Sequence, residues 1–193
     1  MFAALVPPAR AVEDLDAFLE PRREAGPDLR WSSPEQLHLT LAFYAAVEDH
    51  RVEELLERLA TAAVRRTAFE ACVAGGGAFP DPGRARVLWA GLRLAEPAAA
   101  ELDRLAAGAR AAAARTGVVV GGQRFRPHLT LARLARPQEV SRWVRLLDGY
   151  AGPPWTADRV VLVASHLGEG PRRRPRHEVV GELTLGGRDP AVS

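Results

Sequence analysis

The chain has 193 residues, of which 47% are hydrophobic and 26% charged, an ordinary globular composition that excludes a disordered chain. All 26 basic residues are arginine against 24 acids, a net charge of +2 that is too small to argue nucleic-acid binding by itself. The lack of lysine excludes Schiff-base chemistry and a Walker phosphate loop, whereas arginine forks suit phosphate.

In chain order, Phe2 to Val6 reads as a short buried strand closed by Pro7-Pro8. This start lacks the basic region of a signal peptide. No apolar run approaches the roughly 18–20 residues needed to cross a bilayer. The expectation is a soluble cytoplasmic monomer with no membrane partner. Ala9 to Arg23 has helical spacing through Val12, Leu15, Phe18 and Leu19. Arg30 to Pro34 reads as a loop, Leu37 to Tyr44 as a strand and Val52 to Arg66 as a second amphipathic helix. Phe69 to Val73 is a strand, and its single cysteine, Cys72, reads as a small buried core residue that can form no internal disulfide. Gly75 to Gly83 is turn material.

The order then repeats. Val87 to Leu94 is a strand and Pro97 to Arg115 an alanine-rich helix with proline near its first turn. Gly117 to Arg126 holds a short apolar run and a glycine turn. Leu129 to Leu134 is β-like, Pro137 to Leu147 helical, and Val160 to Ala164 and Val179 to Leu185 are strands. Each half reads strand–helix–strand–helix–strand with no linker between. The pattern predicts a single α+β domain over 1–193, two pseudo-symmetric lobes of about 1–83 and 84–170, and a final strand at 178–185.

The chemistry sits at the same place in both halves. His38-Leu39-Thr40-Leu41-Ala42 recurs as His128-Leu129-Thr130-Leu131-Ala132. With five histidines and seven threonines in the chain, chance supplies only about 0.2 His-x-Thr occurrences, so two with identical neighbours stand well above motif noise. Strand alternation turns each His and Thr to one face and both leucines to the other. If the lobes meet about a pseudo-twofold axis, two imidazoles and two hydroxyls flank one cleft. An imidazole serves as acid or base near neutral pH. One neutral and one protonated histidine suit displacement at phosphorus: one takes a proton from water, and the other gives one to the departing oxygen. Thr40 and Thr130 would donate to the non-bridging oxygens. The spacing does not say which histidine plays which part.

These residues resemble a known family. Phe2-Ala3-Ala4-Leu5-Val6-Pro7-Pro8, Arg30-Trp31 with Leu37-His38-Leu39-Thr40-Leu41, Gly77-Ala78-Phe79-Pro80 through Arg86-Val87-Leu88-Trp89-Ala90-Gly91, and above all Phe125-Arg126-Pro127-His128-Leu129-Thr130-Leu131-Ala132-Arg133 are similar to the two-histidine (2H) phosphoesterases. The likeness is to the RNA 2′,3′-cyclic phosphodiesterases formerly called 2′-5′ RNA ligases. It implies a bilobal α+β fold, with two mainly antiparallel sheets flanking a cleft and helices outside. It also implies metal-independent opening of a 2′,3′-cyclic phosphate, on RNA or a nucleotide, to a 2′-phosphomonoester without a cofactor. By the matching positions His38 would be the proton donor, His128 the proton acceptor, and Thr40, Thr130 and Arg133 the phosphate contacts. A regular strand would turn Arg133 away from His128, so its reach requires a bend. His177 stands where an aromatic residue is common in the family.

Elsewhere, His50 beside Glu48 and Asp49 reads as a surface residue. His166 and His177 lack the spacing of a metal site. Arg172-Arg173-Arg174-Pro175-Arg176 reads as a basic loop that could contact an RNA backbone. Trp31, Phe43, Tyr44 and Phe125 flank the motifs as core or cleft-wall residues, with base stacking open to one of them. Two other readings use the same cleft: 2′-5′ RNA end joining by the reverse reaction, and a non-catalytic RNA-binding module.

Overall fold

The computed structural model describes residues 1–24, 29–122, 124–166, 168–169 and 175–187. Strands β1 (Phe2–Leu5), β2 (Leu29–Trp31), β3 (Leu39–Phe43), β4 (Phe69–Phe79), β5 (Ala85–Arg93), β6 (Leu129–Gln138), β7 (Trp155–Ala157), β8 (Arg159–His166) and β9 (Arg176–Thr184) alternate with helices α1 (Ala9–Arg23), α2 (Asp49–Val64), α3 (Glu96–Arg115) and α4 (Ser141–Asp148). The strands follow the order β7-β4-β5-β6-β3-β1-β8-β9, with β2 pairing β6. The two expected sheets are thus joined edge to edge through β3 and β6, where the one registered pair is Leu39 with Leu129.

The leucines of both motifs explain why the sheet is covered on one side. Leu39, Leu41, Leu129 and Leu131 share one buried cluster with Leu15 and Leu19 of α1, Leu55 and Leu59 of α2, and Leu102 and Leu105 of α3. Within each helix these residues recur at helical spacing, so each presents an apolar stripe to the sheet. The alanines of α3, including Ala106, Ala109, Ala112 and Ala113, are buried as well. Buried Tyr44 donates to the Ala109 carbonyl at 3.2 Å and ties the end of β3 to that helix. Phe2, Ala4, Val161 and Val163 form a separate small cluster.

Four local expectations are corrected. The glycine run is largely strand: β4 continues to Phe79, with a register shift between Val73 and Gly76 and Gly75 at φ +68. A side chain at Gly76 would overlap Leu147, and one at Gly77 would overlap the Trp89 indole. These glycines therefore let large side chains lie on a strand, which turn statistics cannot distinguish from a loop. Only the end of the run turns, where Asp81 accepts from the amides of Gly83 and Arg84 at 2.9 and 3.1 Å. Arg30 lies in a three-residue strand, too short to show alternation. Pro137 belongs to β6, and α4 begins at Ser141. Cys72 is half-buried and donates to the Gly152 carbonyl at 2.9 Å, so it sits at the edge of the core.

Candidate active site

The Leu39–Leu129 pair lays the two motifs side by side in opposite directions. Extending that register by one residue each way sets His38 across from Thr130 and Thr40 across from His128. With the leucines buried, the four polar side chains face away from the helices. Each imidazole is held in the same manner: Nδ1 of His38 lies 2.7 Å from the Gln36 carbonyl, and Nδ1 of His128 lies 2.7 Å from the Arg126 carbonyl. A carbonyl only accepts, so Nδ1 carries the hydrogen in both rings. Nε2 is left with a lone pair when the ring is neutral and with a transferable proton when it is charged.

Immediately after each threonine the strand carries a bulge. In β6, Thr130 pairs Trp89, Ala132 pairs Leu88 and Arg133 pairs Val87, so Leu131 is the extra residue. In β3, Thr40 pairs Ala4, Ala42 pairs Ala3 and Phe43 pairs Phe2, which makes Leu41 the extra residue there. Two consecutive buried residues followed by an exposed one mark each bulge in the burial pattern. The bulge resets alternation, and Arg133 returns to the face of Thr130. This is the bend its reach required. The carbonyls of Thr130 and Leu131 are met by the hydroxyl and amide of Ser32, at 2.9 and 2.8 Å. Arg30 of β2 stands directly opposite Arg133. Two like charges facing each other repel, so an anion relieves the pair.

The flanks of the two histidines differ. His38 stacks on Phe2 with ring centroids 4.5 Å apart, and Phe2 in turn stacks on Phe43 at 5.9 Å. Phe43 is 55% exposed. His177 of β9 closes edge-on to His38 at 5.4 Å and to Phe2 at 5.2 Å. His128 instead meets Phe79 edge-on at 4.9 Å and Trp89 at 6.1 Å. Burial first, and then the charges of His177, His128 and Arg133, together bring the pKa of His38 down to about 4 against a restoring hydrogen bond to Gln36. Burial also lowers His128, against a restoring hydrogen bond to Arg126, and the Arg133 charge lowers it further. Both rings are thus easier to deprotonate than a free imidazole, and charge on His128 opposes protonation of His38.

The family profile described as LigT like Phosphoesterase matches residues 6–89 and again 92–172, each match holding one of the two motifs. The chain belongs to the LigT-like phosphoesterases. It is 28% identical to the RNA 2′,3′-cyclic phosphodiesterase of Aquifex aeolicus, over 82% of each chain. It is 34% identical to the enzyme of that name from Aeropyrum pernix, over 63% of this chain and 66% of the relative. A solved protein of Thermus thermophilus superposes with a TM-score of 0.75 at 27% identity, covering 97% of this chain and 98% of its own. Escherichia coli LigT complexed with 3′-AMP gives 0.72 at 26% identity, covering 95% and 96%.

Within this LigT-like chain the remaining sequence candidates fall into place unevenly. Tyr44 is core, and Trp31 is half-buried against Trp143 at 5.1 Å. His50 is exposed beside Glu48, and His166 lies 3.2 Å from Glu178. Arg172, Arg173 and Arg174 lie outside the described residues, whereas Arg176 is paired with Glu169 and Glu178, each at 3.0 Å. Among the described residues no three His, Cys, Asp or Glu side chains gather closely enough to hold a metal ion. Spacing alone missed Phe2, His177, Phe79, Trp89 and Arg30 as site residues. Each reaches the site across the sheet from another strand, and the signal available was the family likeness, which covers the blocks holding Phe2, Arg30, Phe79 and Trp89 and marks the position of His177.

Proposed function

We propose that this chain hydrolyses 2′,3′-cyclic phosphate at RNA ends or on nucleotides to a 2′-phosphomonoester, with His38 and His128 as the acid–base pair. The observation that carries the reading is the duplicated tether. Two imidazoles, each fixed through Nδ1 to a carbonyl two residues earlier, keep Nε2 for proton transfer on the sheet face they share with Thr40, Thr130 and Arg133. The cyclic phosphate binds between Thr40, Thr130 and Arg133, whose donors meet the non-bridging oxygens and stabilise the charge that builds there. His128 Nε2 takes a proton from water as the water oxygen bonds to phosphorus. The bond from phosphorus to O3′ breaks in line, and His38 Nε2 protonates the departing O3′. Each transfer is worth about 10²–10⁴ in rate.

The electrostatics support this direction. A donor with a depressed pKa surrenders its proton readily to an alkoxide, which suits His38 on the side of the departing oxygen. In-line attack also places the ribose on the side of the departing oxygen, hence toward His38, Phe2 and the exposed Phe43. That ring offers the nucleobase a stacking face. The substrate anion opposes the repulsion from Arg133 and the neighbouring imidazoles and so favours protonated His38 once bound.

The test is turnover of adenosine 2′,3′-cyclic phosphate and of a short RNA ending in cyclic phosphate, with EDTA present. A 2′-phosphate product from both supports the reading. A 3′-phosphate product would mean that the other ester bond breaks, and failure to turn over either substrate would sink hydrolysis altogether.

A further inference from the structure

The two imidazoles are tethered alike, but the residues that tether them differ. Gln36 closes a short 3-10 helical turn, Pro34–Gln36. Within it the Gln36 amide donates to the Ser33 carbonyl at 2.9 Å and the Leu37 amide to the Pro34 carbonyl at 3.1 Å. Buried Leu37 anchors the turn, so the Gln36 carbonyl is aimed at Nδ1 of His38. The Gln36 side chain reaches elsewhere: its Nε2 donates to the Pro175 carbonyl at 2.8 Å, 139 residues along the chain. A carbonyl only accepts, so the amide nitrogen is the end that meets it. Pro175 leads directly into β9, and His177 stands two residues beyond. Arg126 holds His128 from the equivalent backbone position, but its guanidinium lies 5.9 Å over the Phe79 ring.

One residue thus acts on His38 from two directions. Its carbonyl sets the orientation of the ring, and its side chain sets where β9 brings His177 against that ring, edge-on at 5.4 Å. The other restraints on the start of β9 are the ion pairs of Arg176 with Glu169 and Glu178, each 3.0 Å long and exposed. Pairs of that kind are weak and screened by salt. The Gln36–Pro175 bond is neutral and half-buried, so salt touches it little. The groups facing His38 are Phe2 from β1, His128 and Arg133 from β6, and His177 from β9. Of these, only His177 rides on the strand that Gln36 holds.

We propose that Gln36 is a positioning residue for the acid: its side-chain amide locks β9 against the turn that tethers His38 and so fixes His177 against the imidazole. The effect on turnover rests on the hydrolytic reading above; the coupling of Gln36 to His38 through His177 does not. Loss of the amide releases the start of β9. His38 then loses the cover of the His177 ring and one of the charges that oppose its protonation, while those of His128 and Arg133 stay in place. The imidazole also gains freedom to tilt, which separates its Nε2 from the departing oxygen.

The experiment titrates the His38 ring through the NMR signal of its Cε1 hydrogen, assigned by its loss in His38→Ala. Wild type, Gln36→Met, His177→Ala and the double variant are compared, with melting curves to check folding. Gln36→Met keeps the length of the side chain and the tethering carbonyl and removes only the donor; Gln36→Ala replaces it if the methionine variant does not fold. The expected result is a His38 pKa that rises from about 4 in Gln36→Met. In the His177→Ala background the same substitution should raise it no further, because both act on one contact. Turnover of adenosine 2′,3′-cyclic phosphate should fall about tenfold in kcat, with KM changed by less than about twofold, and the acid limb should follow the NMR pKa. A His38 pKa that does not rise in Gln36→Met, or that rises equally without His177, overturns the clamp while leaving hydrolysis intact. If the wild type turns over no cyclic phosphate, the hydrolytic reading falls, and the titration alone still decides whether Gln36 holds His177 against His38.

Discussion

Phe43 and Arg133 occupy equivalent places in the two halves of the site. Each follows its histidine by five residues, and each is brought to the cleft by a bulge one residue past the threonine. Across the sheet the match continues: Phe2 opposite Phe43 corresponds to Val87 opposite Arg133, and Ala4 opposite Thr40 to Trp89 opposite Thr130. The backbone repeats while the side chains diverge. The His38 flank is apolar and stacked; the His128 flank has Arg133, Arg30 and Arg126 among its aromatics. The scaffold supplies two similarly tethered imidazoles, and in the proposed reaction the unlike flanks would make His38 the acid near the nucleoside and His128 the base near water.

The severest way to break this comparison is to remove either imidazole. His38→Ala and His128→Ala should each lower kcat by at least about 100-fold with the melting temperature retained. Near-normal turnover in either variant would show that its ring carries no proton. A contrast between Arg133→Ala and Phe43→Ala is finer. Loss of a charged hydrogen bond to phosphate is worth about 1.5–3 kcal/mol, or roughly 10- to 100-fold in kcat/KM, and should not depend on the base. Phe43→Ala should cost about tenfold, mostly in KM, and more for purines than for pyrimidines, since it removes a stacking face. If both variants lose equally on every base, the flanks are not chemically divided as described.

A smaller effect tests the support of the His128 flank. A methyl group at Gly77 would overlap the Trp89 indole, and overpacking of this kind costs about 1–3 kcal/mol. Gly77→Ala should lower the melting temperature by about 2–10 °C and reduce kcat in parallel, because Trp89 stands beside His128. Gly122→Ala, with nothing within 4 Å of the added carbon, is the control expected to change neither.

The division between the flanks also explains what was readable from the chain. The duplicated His-x-Thr with its leucines gave the cleft face and the core face directly, because a strand has a period of two. Arg133 defied that period, and the cause was one inserted residue, Leu131, whose carbonyl is satisfied by Ser32 from a distant part of the chain. Phe2, Phe79 and Trp89 reach the histidines through cross-strand pairing, which depends on register and leaves no local spacing to read. β4 was hidden for a related reason: Gly76 and Gly77 signal a turn locally, and only the large side chains lying on them show why glycine is needed in a strand.

His177 offers the mildest test of the comparison, because nothing equivalent crowds His128 from β9. Its own pKa is lowered by burial, yet it is charged on the acid side where His38 titrates, and there its charge adds to those of His128 and Arg133 in opposing protonation of His38. In the free enzyme kcat/KM should therefore peak below pH 6.5, with an acid limb governed by the low pKa of His38. His177→Phe keeps a ring beside Phe2 but removes that charge, so the acid limb should move to higher pH. The same linkage acts on stability. The unfolded chain protonates His38 near pH 6.5 and the folded chain only near 4, so stability present above pH 6.5 is lost progressively as the pH falls toward 4. His177→Phe narrows that window from below, and its melting temperature should fall less steeply over this range than that of the wild type. An acid limb and a melting profile both unmoved by the substitution would assign the depressed pKa to burial under Phe2 alone and leave His177 as a wall of the cleft.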